Sequence, residues 1–297
     1  MKILLFGKDG QVGRALQSAL APLGEVVALG RADADFSQPE SLAAIIHAQR
    51  PDVVVNAAAY TAVDAAEDDR ERAWTINAGA VGAIGEAARR SGALVVHYST
   101  DYVFDGLSLA PYEETAPTSP ESVYGASKLA GEALLRESGA RHVIFRTSWV
   151  YAPIGKNFPL TILRLAEERD TLNVVADQIG APTPAALVAE MTAVAILQAN
   201  ADAMKLGLYH LAPAGETSWH SLAQFLIGEA LDAGAGFKLT PAAILPILAR
   251  EYPVKARRPG NSRLDTERLR ATFGVTLPAW QDGIRQLITN LRTEGRL

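Results

Sequence analysis

Tyr124 and Lys128, four residues apart, are the residues of this sequence best suited to acid–base chemistry. The segment 125–135 is rich in Ala, Leu, Glu and Lys, which predicts a helix with both side chains on one face. A nearby ammonium favours the phenolate, so we expect Lys128 to lower the pKa of Tyr124 and prepare it for proton transfer. The alternative is a half-buried tyrosine that simply lies beside a solvated lysine.

A segment that carries hydroxyl groups precedes this pair. Thr100 and Asp101 follow an apolar run at 93–99, which predicts a buried strand. In open parallel sheets, ligands bind at the carboxyl ends of the strands. We therefore expect Thr100 to join Tyr124 and Lys128 in one catalytic site.

The N-terminus has the sequence pattern of a dinucleotide-binding turn. A short apolar run at 2–6 predicts a buried strand, and helical spacing begins at Val12. Between them, Gly7, Gly10 and Gly13 form the pattern Gly-x-x-Gly-x-x-Gly, whereas many dehydrogenases have Gly-x-Gly-x-x-Gly. Glycines let the backbone approach a pyrophosphate, and the helix N-terminus favours its negative charge. The alternative is a glycine-rich turn without a ligand.

The residue after the second predicted strand bears on the choice of cofactor. The strand at 25–29 ends in Gly30 and Arg31. Folds that prefer NAD usually have an acid here to bind the ribose 2′-hydroxyl, whereas a guanidinium suits a 2′-phosphate. Arg31 therefore favours NADPH. Asp33 and Asp35 lie close by and weaken this interpretation, and a solvated surface arginine is the alternative.

Two further segments supply candidate cofactor contacts. Asp35 could hydrogen-bond an adenine amine while Phe36 packs on the ring, or both could only shape a turn. Ser37 and Glu40 are spaced as a capping box, which predicts that a helix begins there. Small side chains at 56–61, after another predicted strand, leave room for ribose and phosphates.

Alternating strands and helices through residue 148 give about six or seven βα units. This pattern predicts an α/β fold with a Rossmann-type, doubly wound parallel sheet over 1–148. Helices then predominate, which predicts a smaller C-terminal α/β substrate lobe over 149–297, with 184–212 returning to the first domain. The later helices are predicted at 157–168, 184–198, 218–231, 264–273 and 280–292.

The composition excludes several functional classes. The 297 residues include 28 basic and 33 acidic side chains, so the formal charge of −5 argues against nucleic acid or an anionic membrane as the main partner. The absence of cysteine excludes disulfides, thiolate metal sites and cysteine nucleophiles. The apolar run at 2–6 is too short for a signal-peptide core or a membrane span. We expect a cytoplasmic protein.

Glycine turn, strand-end threonine, tyrosine and lysine together resemble the extended short-chain dehydrogenase/reductase superfamily. Within it, the chain closely resembles the dTDP-4-dehydrorhamnose reductase family, over nearly its whole length. The stretches that carry this resemblance are 6–8, 11–13, 56–64, 97–104, 124–125, 128–132, 145–151, 177–178, 180–183 and 258–262.

The resemblance implies a dTDP-sugar substrate: NADPH or NADH would reduce C4 of dTDP-4-dehydro-6-deoxy-L-mannose, giving dTDP-L-rhamnose. Tyr124 would be the general acid, Lys128 would hold the nicotinamide ribose, and Thr100 would hydrogen-bond the C4 oxygen. With the positions argued above, the predicted cofactor contacts are Gly7, Gly10, Gln11, Val12, Gly13, Arg31, Asp35, Phe36, Ala59, Tyr60, Thr61, Tyr98, Tyr124 and Lys128. The predicted substrate contacts are Thr100, Asp101, Tyr102, Trp149, Asn157 and Arg258, with Arg257 as a weaker candidate for the pyrophosphate.

Departures from related families narrow the chemistry. Related nucleotide-sugar 4,6-dehydratases have Asp-Glu after the active-site threonine, whereas Tyr102 follows Asp101 here, which favours plain reduction. Members of the reductase family have been associated with a magnesium ion and a dimer. No carboxylate spacing designates a metal site, and Ala15 offers no ligand, so we predict catalysis without a metal. A homodimer stays open.

Two other functions compete with this interpretation. A regulatory subunit that binds a pyridine nucleotide would keep the glycine turn and relax the catalytic residues, but Thr100, Tyr124 and Lys128 are all present. A reductase or epimerase of another 4-keto sugar nucleotide would keep these three residues and differ in the C-terminal lobe.

The Arg31→Ala variant tests the predicted cofactor preference. Loss of the guanidinium should lower the ratio of kcat/KM with NADPH to kcat/KM with NADH, because only NADPH carries the 2′-phosphate. Steady-state assays with both cofactors measure this ratio. A change smaller than about twofold, well under 1 kcal/mol, would show that the arginine does not read the 2′ position.

Overall fold

The computed structural model describes residues 1–297. The strands are β1 (Lys2–Phe6), β2 (Glu25–Leu29), β3 (Val53–Asn56), β4 (Leu94–Thr100), β5 (His142–Thr147), β6 (Val150–Tyr151), β7 (Leu172–Val175), β8 (Ile179–Gly180), β9 (Thr183–Pro184), β10 (Gly207–His210), β11 (Thr217–Ser218) and β12 (Ile244–Ile247). The helices are α1 (Gln11–Leu20), α2 (Pro39–Gln49), α3 (Val63–Ala66), α4 (Arg70–Trp74), α5 (Ala80–Ser91), α6 (Val123–Glu137), α7 (Phe158–Glu168), α8 (Ala185–Ala201), α9 (Trp219–Asp232), α10 (Glu267–Phe273) and α11 (Trp280–Thr293).

Six parallel strands form the main sheet, in the order β10-β5-β4-β3-β1-β2. The predicted doubly wound α/β sheet is confirmed, but the expected number of βα units before residue 148 is wrong. Only five of its strands lie there, and the chain between β3 and β4 is helical. It forms α4, a π-helical turn at Thr75–Gly79 and α5. The sixth strand, β10, follows α8.

Helices cover both faces of this sheet. Leu16 of α1 and Val188 of α8 belong to the core on one face, and Ile46 of α2 and Ile84 of α5 belong to the core on the other. Burial on both faces explains why the strands are nearly continuous apolar runs. Every residue of Leu94–Thr100 is buried.

A second core lies in the C-terminal half. Ile162 of α7, Leu226 of α9 and Ile284 of α11 belong to one buried cluster, beside the two-stranded sheet of β7 and β12. The helix expected at 264–273 begins later, at Glu267, because Leu264 pairs with Tyr112 in an isolated β-bridge. None of the helices combines the length and apolar character needed to span a membrane.

The capping box expected before α2 is wrong. The helix begins at Pro39 with Gln38 at the N-cap position, and no side chain caps it. The Ser37 hydroxyl instead donates to Asp35 Oδ1 at 2.8 Å, and the Ser37 N–H donates to the same oxygen at 2.9 Å. The Asp35 side chain, two residues earlier, therefore takes the hydrogen bonds of Ser37, and the serine does not cap the helix.

α6 packs closely against the end of β4. The Ser122 hydroxyl caps the helix by accepting from the Gly125 N–H at 3.1 Å. A Cβ at Gly125 would lie 2.2 Å from Tyr102 O, and one at Gly131 would lie 2.1 Å from Asn77 O. These two glycines therefore allow the close approach that brings α6 to the site.

The buried ion pair behind α6 generates a stability prediction. Arg146 of β5 donates to both carboxylate oxygens of Glu132, at 2.9 and 2.7 Å, and the two side chains are 3% and 0% exposed. Glu132→Ala should lower the free energy of unfolding by about 3–5 kcal/mol, because it leaves a buried guanidinium without its counter-charge. Urea denaturation measures this change.

The exposed pair of Arg164 and Glu168, at 3.2 Å, offers a matched control. Glu168→Ala should change the free energy of unfolding by less than about 1 kcal/mol. Equal effects of the two substitutions would contradict the importance of the buried pair.

Candidate active site

The end of β4 presents two buried polar side chains. Thr100 and Asp101 are 5% and 2% exposed, and the threonine hydroxyl donates to Asp101 Oδ1 at 3.0 Å. The Tyr102 N–H donates back to Thr100 Oγ1 at 3.2 Å. Burial raises the pKa of the Asp101 carboxyl to about 6, against the opposing effect of hydrogen bonds from Ser262 and Thr100.

The phenol of Tyr124 stands next to Thr100. Burial raises the pKa of Tyr124, the adjacent threonine hydroxyl lowers it, and the negative charge of Asp101 raises it further. The rings of Tyr102 and Tyr124 meet edge to face at 5.5 Å between centroids. Tyr124 is therefore a neutral phenol, the protonation state of a general acid.

Lys128 points towards the strands. Its ammonium donates to the Tyr98 carbonyl oxygen at 2.6 Å, and His97 Nε2 lies 3.3 Å from it. Burial lowers the pKa of Lys128 to about 8, and Glu132 acts in the opposite direction. The expected lowering of the Tyr124 pKa by Lys128 is wrong, because burial of the phenol prevails and the ammonium interacts with β4.

The glycine turn lies where the strand order reverses, between β1 and β3. Gly7 has φ +86°, and a Cβ there would lie 2.7 Å from Ala57 C. A Cβ at Gly13 would lie 1.9 Å from Gly7 O. No side chain caps α1, so the N–H groups of its first turn can bind an anion. A pyrophosphate fits this cradle.

Near the end of β2, the predicted 2′ region holds a cation and a carboxylate. Lys8 Nζ lies 2.8 Å from Asp33 Oδ2, and the Gly30 N–H donates to the same oxygen at 2.9 Å. Arg31 is exposed. Phe36 is buried against Phe6, with ring centroids 5.5 Å apart, so its side chain belongs to the core.

Asn77 in the π-helical turn holds the loop after β3. Its Oδ1 accepts from the Tyr60 N–H at 2.8 Å, and its Nδ2 donates to Tyr60 O at 3.1 Å and to Ser127 Oγ at 3.0 Å. Ala59 and Thr61 flank Tyr60. The Tyr98 side chain points away from this loop, to Thr192 on α8 at 2.7 Å.

A cleft of about 1420 Å³ opens beside Tyr102, whose ring packs against that of Tyr124. Tyr102, Trp149 and Arg258 line it, together with residues of the C-terminal half such as Trp219. Trp149 has φ +50°, and its ring stacks on Trp219 at 3.5 Å between centroids with 14° between planes. Flat indole faces of this kind suit a sugar or a base.

Arg258 connects the cleft to the sheet domain. Its guanidinium donates to the Tyr102 hydroxyl at 3.1 Å and to Asp64 Oδ2 at 2.5 Å. Arg257 instead pairs with Glu121 at 2.9 Å and is mostly exposed. Arg258 is thus the better placed of the two arginines for an anionic ligand.

The side-chain amide of Asn157 makes its hydrogen bonds within the protein. Its Nδ2 donates to Gln11 Oε1 and to Ala152 O, both at 2.8 Å, and its Oδ1 caps α7 by accepting from the Leu160 N–H. The amide therefore links the C-terminal half to the glycine turn.

Sequence reasoning missed several residues of this region. Trp219 and Asn77 meet their partners only through tertiary contacts, and no local motif marks them. Asp64 closes the stretch 56–64 that carries the family resemblance, but its contact with Arg258 is also a tertiary one. His97 lies in a stretch that carries the family resemblance, yet within a strand it looks like any core residue. No group of three or more His, Cys, Asp or Glu side chains is arranged to hold a metal ion.

The chain matches the family model described as RmlD substrate binding domain over residues 1–293. It is similar to a dTDP-4-dehydrorhamnose reductase of Salmonella typhimurium, with 50% identity over 297 residues and 99% of each chain covered. A solved dTDP-4-dehydrorhamnose reductase of Bacillus anthracis in complex with NADP is 32% identical, with a TM-score of 0.86 over 97% of this chain and 99% of that one. A solved dTDP-4-dehydrorhamnose reductase of Clostridium acetobutylicum is 33% identical, with a TM-score of 0.88 over 98% of this chain and 100% of that one.

Asp101→Asn tests the electrostatics of the strand end. Because burial raises the folded pKa of Asp101 from 3.8 to about 6, the wild type should lose stability as pH rises through that range. The variant lacks this loss, so the difference in unfolding free energy should move in its favour by about 3 kcal/mol between pH 3 and pH 8. Urea denaturation across that range measures it.

Asp105→Asn is the control of opposite sign. A hydrogen bond from Tyr112 lowers the pKa of Asp105, so this variant should lose stability relative to the wild type as pH rises. A pH-independent difference for Asp101→Asn would contradict the buried, ionising carboxyl.

Proposed function

Since the chain belongs to the RmlD family of dTDP-4-dehydrorhamnose reductases, we propose that Thr100, Tyr124 and Lys128 catalyse its reaction. The chain is an NAD(P)H-dependent oxidoreductase that reduces the C4 ketone of dTDP-4-dehydrorhamnose to give dTDP-L-rhamnose. The observation that carries the assignment of these three residues is their convergence at the end of β4, beside a cleft large enough for a sugar nucleotide.

In the proposed reaction, Tyr124 gives its proton to the C4 oxygen. Its raised pKa keeps the phenol protonated until that oxygen develops negative charge. The Thr100 hydroxyl binds the same oxygen and fixes its distance from the phenol. The bound nicotinamide supplies the hydride. With a pKa of about 8, Lys128 is mostly protonated at neutral pH.

The proposed substrate contacts divide along the cleft. Trp149 and Trp219 offer ring faces, and Arg258 offers a guanidinium that would exchange Asp64 for the diphosphate. Tyr102 lies between these groups and Tyr124. In this proposal residues 1–148, with 184–212, form the cofactor domain, and the remaining C-terminal residues form the sugar-nucleotide lobe.

The cofactor contacts follow the glycine turn and the loops after β2 and β3. The first turn of α1 would hold the pyrophosphate, and Lys128 would hold the nicotinamide ribose. Preference for NADPH, catalysis without a metal, a homodimer and a cytoplasmic location stay predictions. The enzyme's activity after EDTA treatment tests catalysis without a metal. Light scattering of the purified chain tests the homodimer.

Tyr124→Phe tests the proposed general acid. The variant should lose turnover of dTDP-4-dehydrorhamnose by at least about a hundredfold, because phenylalanine has no proton to donate. Its affinity for the cofactor, measured by NADPH fluorescence, should stay nearly unchanged. Tyr151→Phe is the control, since the buried Tyr151 hydroxyl has no hydrogen-bond partner and its removal should leave turnover intact.

Two outcomes would contradict the proposal. Full activity of Tyr124→Phe would remove the tyrosine as the acid. Absence of turnover by the wild type with either NADPH or NADH would favour another 4-keto sugar nucleotide or a regulatory role.

A further inference from the structure

The side chain of Lys128 lies against a buried histidine that the proposed reaction does not use. His97 is fully buried, and its Nε2 lies 3.3 Å from Lys128 Nζ. Lys128 is 2% exposed and also donates to Tyr98 O at 2.6 Å. The lysine amine therefore lies between two fixed groups of β4, of which Tyr98 O accepts its hydrogen bond.

The second ring nitrogen of His97 is also occupied. Its Nδ1 lies 3.2 Å from Asn56 Nδ2, at the position where β3 and β4 pair Asn56 with His97. Asn56 is 1% exposed, and its Oδ1 accepts from the Ala58 N–H at 3.1 Å. A backbone N–H can only donate, so the atom that faces Ala58 must be the amide oxygen.

This orientation decides which nitrogen of the imidazole is protonated. Because Asn56 presents its NH₂ group to Nδ1, that nitrogen must accept. A neutral imidazole then has its proton on Nε2, which points at Lys128. Burial, with the charge of Lys128, lowers the pKa of His97 well below its usual range, so the ring is neutral.

We propose that Asn56 and His97 are positioning residues for Lys128: Asn56 fixes the His97 tautomer, and the Nε2–H of His97, which can hydrogen-bond only to the unprotonated amine, favours that form of Lys128. This inference rests on the proposed role of Lys128 in the reaction. An N–H group that points at the amine opposes its positive charge. It therefore acts in the same direction as the burial that lowers the pKa of Lys128 to about 8.

The other charged groups near Lys128 do not replace this interaction. Glu132 lies one helical turn away and is already paired with Arg146 from β5. Asp101, after β4, accepts a hydrogen bond from Thr100 instead. The contact with His97, supported by Asn56, therefore adds to the direct hydrogen bond from Lys128 to Tyr98 O.

The first test measures the tautomer in the purified protein without cofactor or substrate. ¹⁵N NMR of histidine-labelled protein should show His97 with a protonated Nε2 and an unprotonated Nδ1 at pH 7. A His97→Gln sample identifies the resonance by its absence. A proton on Nδ1, or a doubly protonated ring, would overturn the proposal whatever the activity of the enzyme.

The second test reverses the tautomer with Asn56→Asp. The carboxylate would accept from Nδ1–H as well as from Ala58, so the proton should move to Nδ1 and Nε2 should accept from the ammonium. We expect Lys128, whose pKa burial lowers to about 8, to set the alkaline limb of the kcat/KM pH profile, and in the variant this limb should move up by at least about one pH unit. An unmoved limb, or a moved limb with the proton still on Nε2, would overturn the proposal.

The third test separates positioning from packing. His97→Phe keeps the ring shape and should lower kcat at least about tenfold with the substrate KM within about twofold. His97→Gln keeps a polar partner for Lys128 and should restore kcat to within about threefold of the wild type. Equal losses of kcat in both variants, or a wild-type kcat in a folded His97→Phe variant, would contradict the positioning role of His97. If the unmutated enzyme itself showed no activity, the proposed function would be rejected instead.

Discussion

The buried hydrogen bond from Lys128 to the Tyr98 carbonyl, 2.6 Å long, is the interaction on which the site depends. A lysine amine that is only 2% exposed is tolerated only where it has a hydrogen-bond acceptor, which here is the Tyr98 carbonyl. To reach that carbonyl, α6 must lie almost in contact with the chain after β4, and Gly125 permits that approach, while Gly131 permits the approach of α6 to Asn77. On the same helix, Glu132 forms a buried ion pair with Arg146, so the two charges compensate each other in the core. The position of Tyr124 beside Thr100 follows from the same approach.

Burial gives the three reacting side chains different protonation states. It raises the pKa of Tyr124, so the tyrosine keeps the proton it has to donate. It lowers the pKa of Lys128 to about 8, so the lysine is charged at neutral pH but able to release a proton. The Thr100 hydroxyl stays neutral, and its proposed role is to fix the position of the C4 oxygen. One physical cause therefore produces an acid and a labile cation four residues apart on one helix.

Features that depend on neighbours in the chain were predictable. The strand at Glu25–Leu29, the glycine turn and the helix with Tyr124 and Lys128 each follow from a local pattern of apolar, glycine or helix-forming residues. The sheet's reversal of order at the glycine turn also follows the rule for ligand sites in open sheets.

Features that depend on distant contacts were not predictable. Arg258 and Asp64 are 194 residues apart and meet only after both lobes have folded. The stacking of Trp149 on Trp219 likewise has no signature in either segment. The direction of the Tyr124 pKa shift was missed because spacing places Lys128 beside the phenol, whereas the folded chain turns its ammonium towards β4. The number of strands before residue 148 was overestimated, because the sixth strand of the sheet, β10, comes only after α8.

Isotope transfer tests the central claim, hydride reduction at the sugar C4, most directly. The wild-type enzyme is incubated with dTDP-4-dehydrorhamnose and NADPH that carries deuterium at the transferable position of the nicotinamide. NMR of the purified product should show deuterium at C4 of the rhamnosyl ring and at no other sugar carbon. Product without deuterium at C4, or with label at C3 or C5, would contradict a simple reduction and indicate an epimerising or dehydrating site.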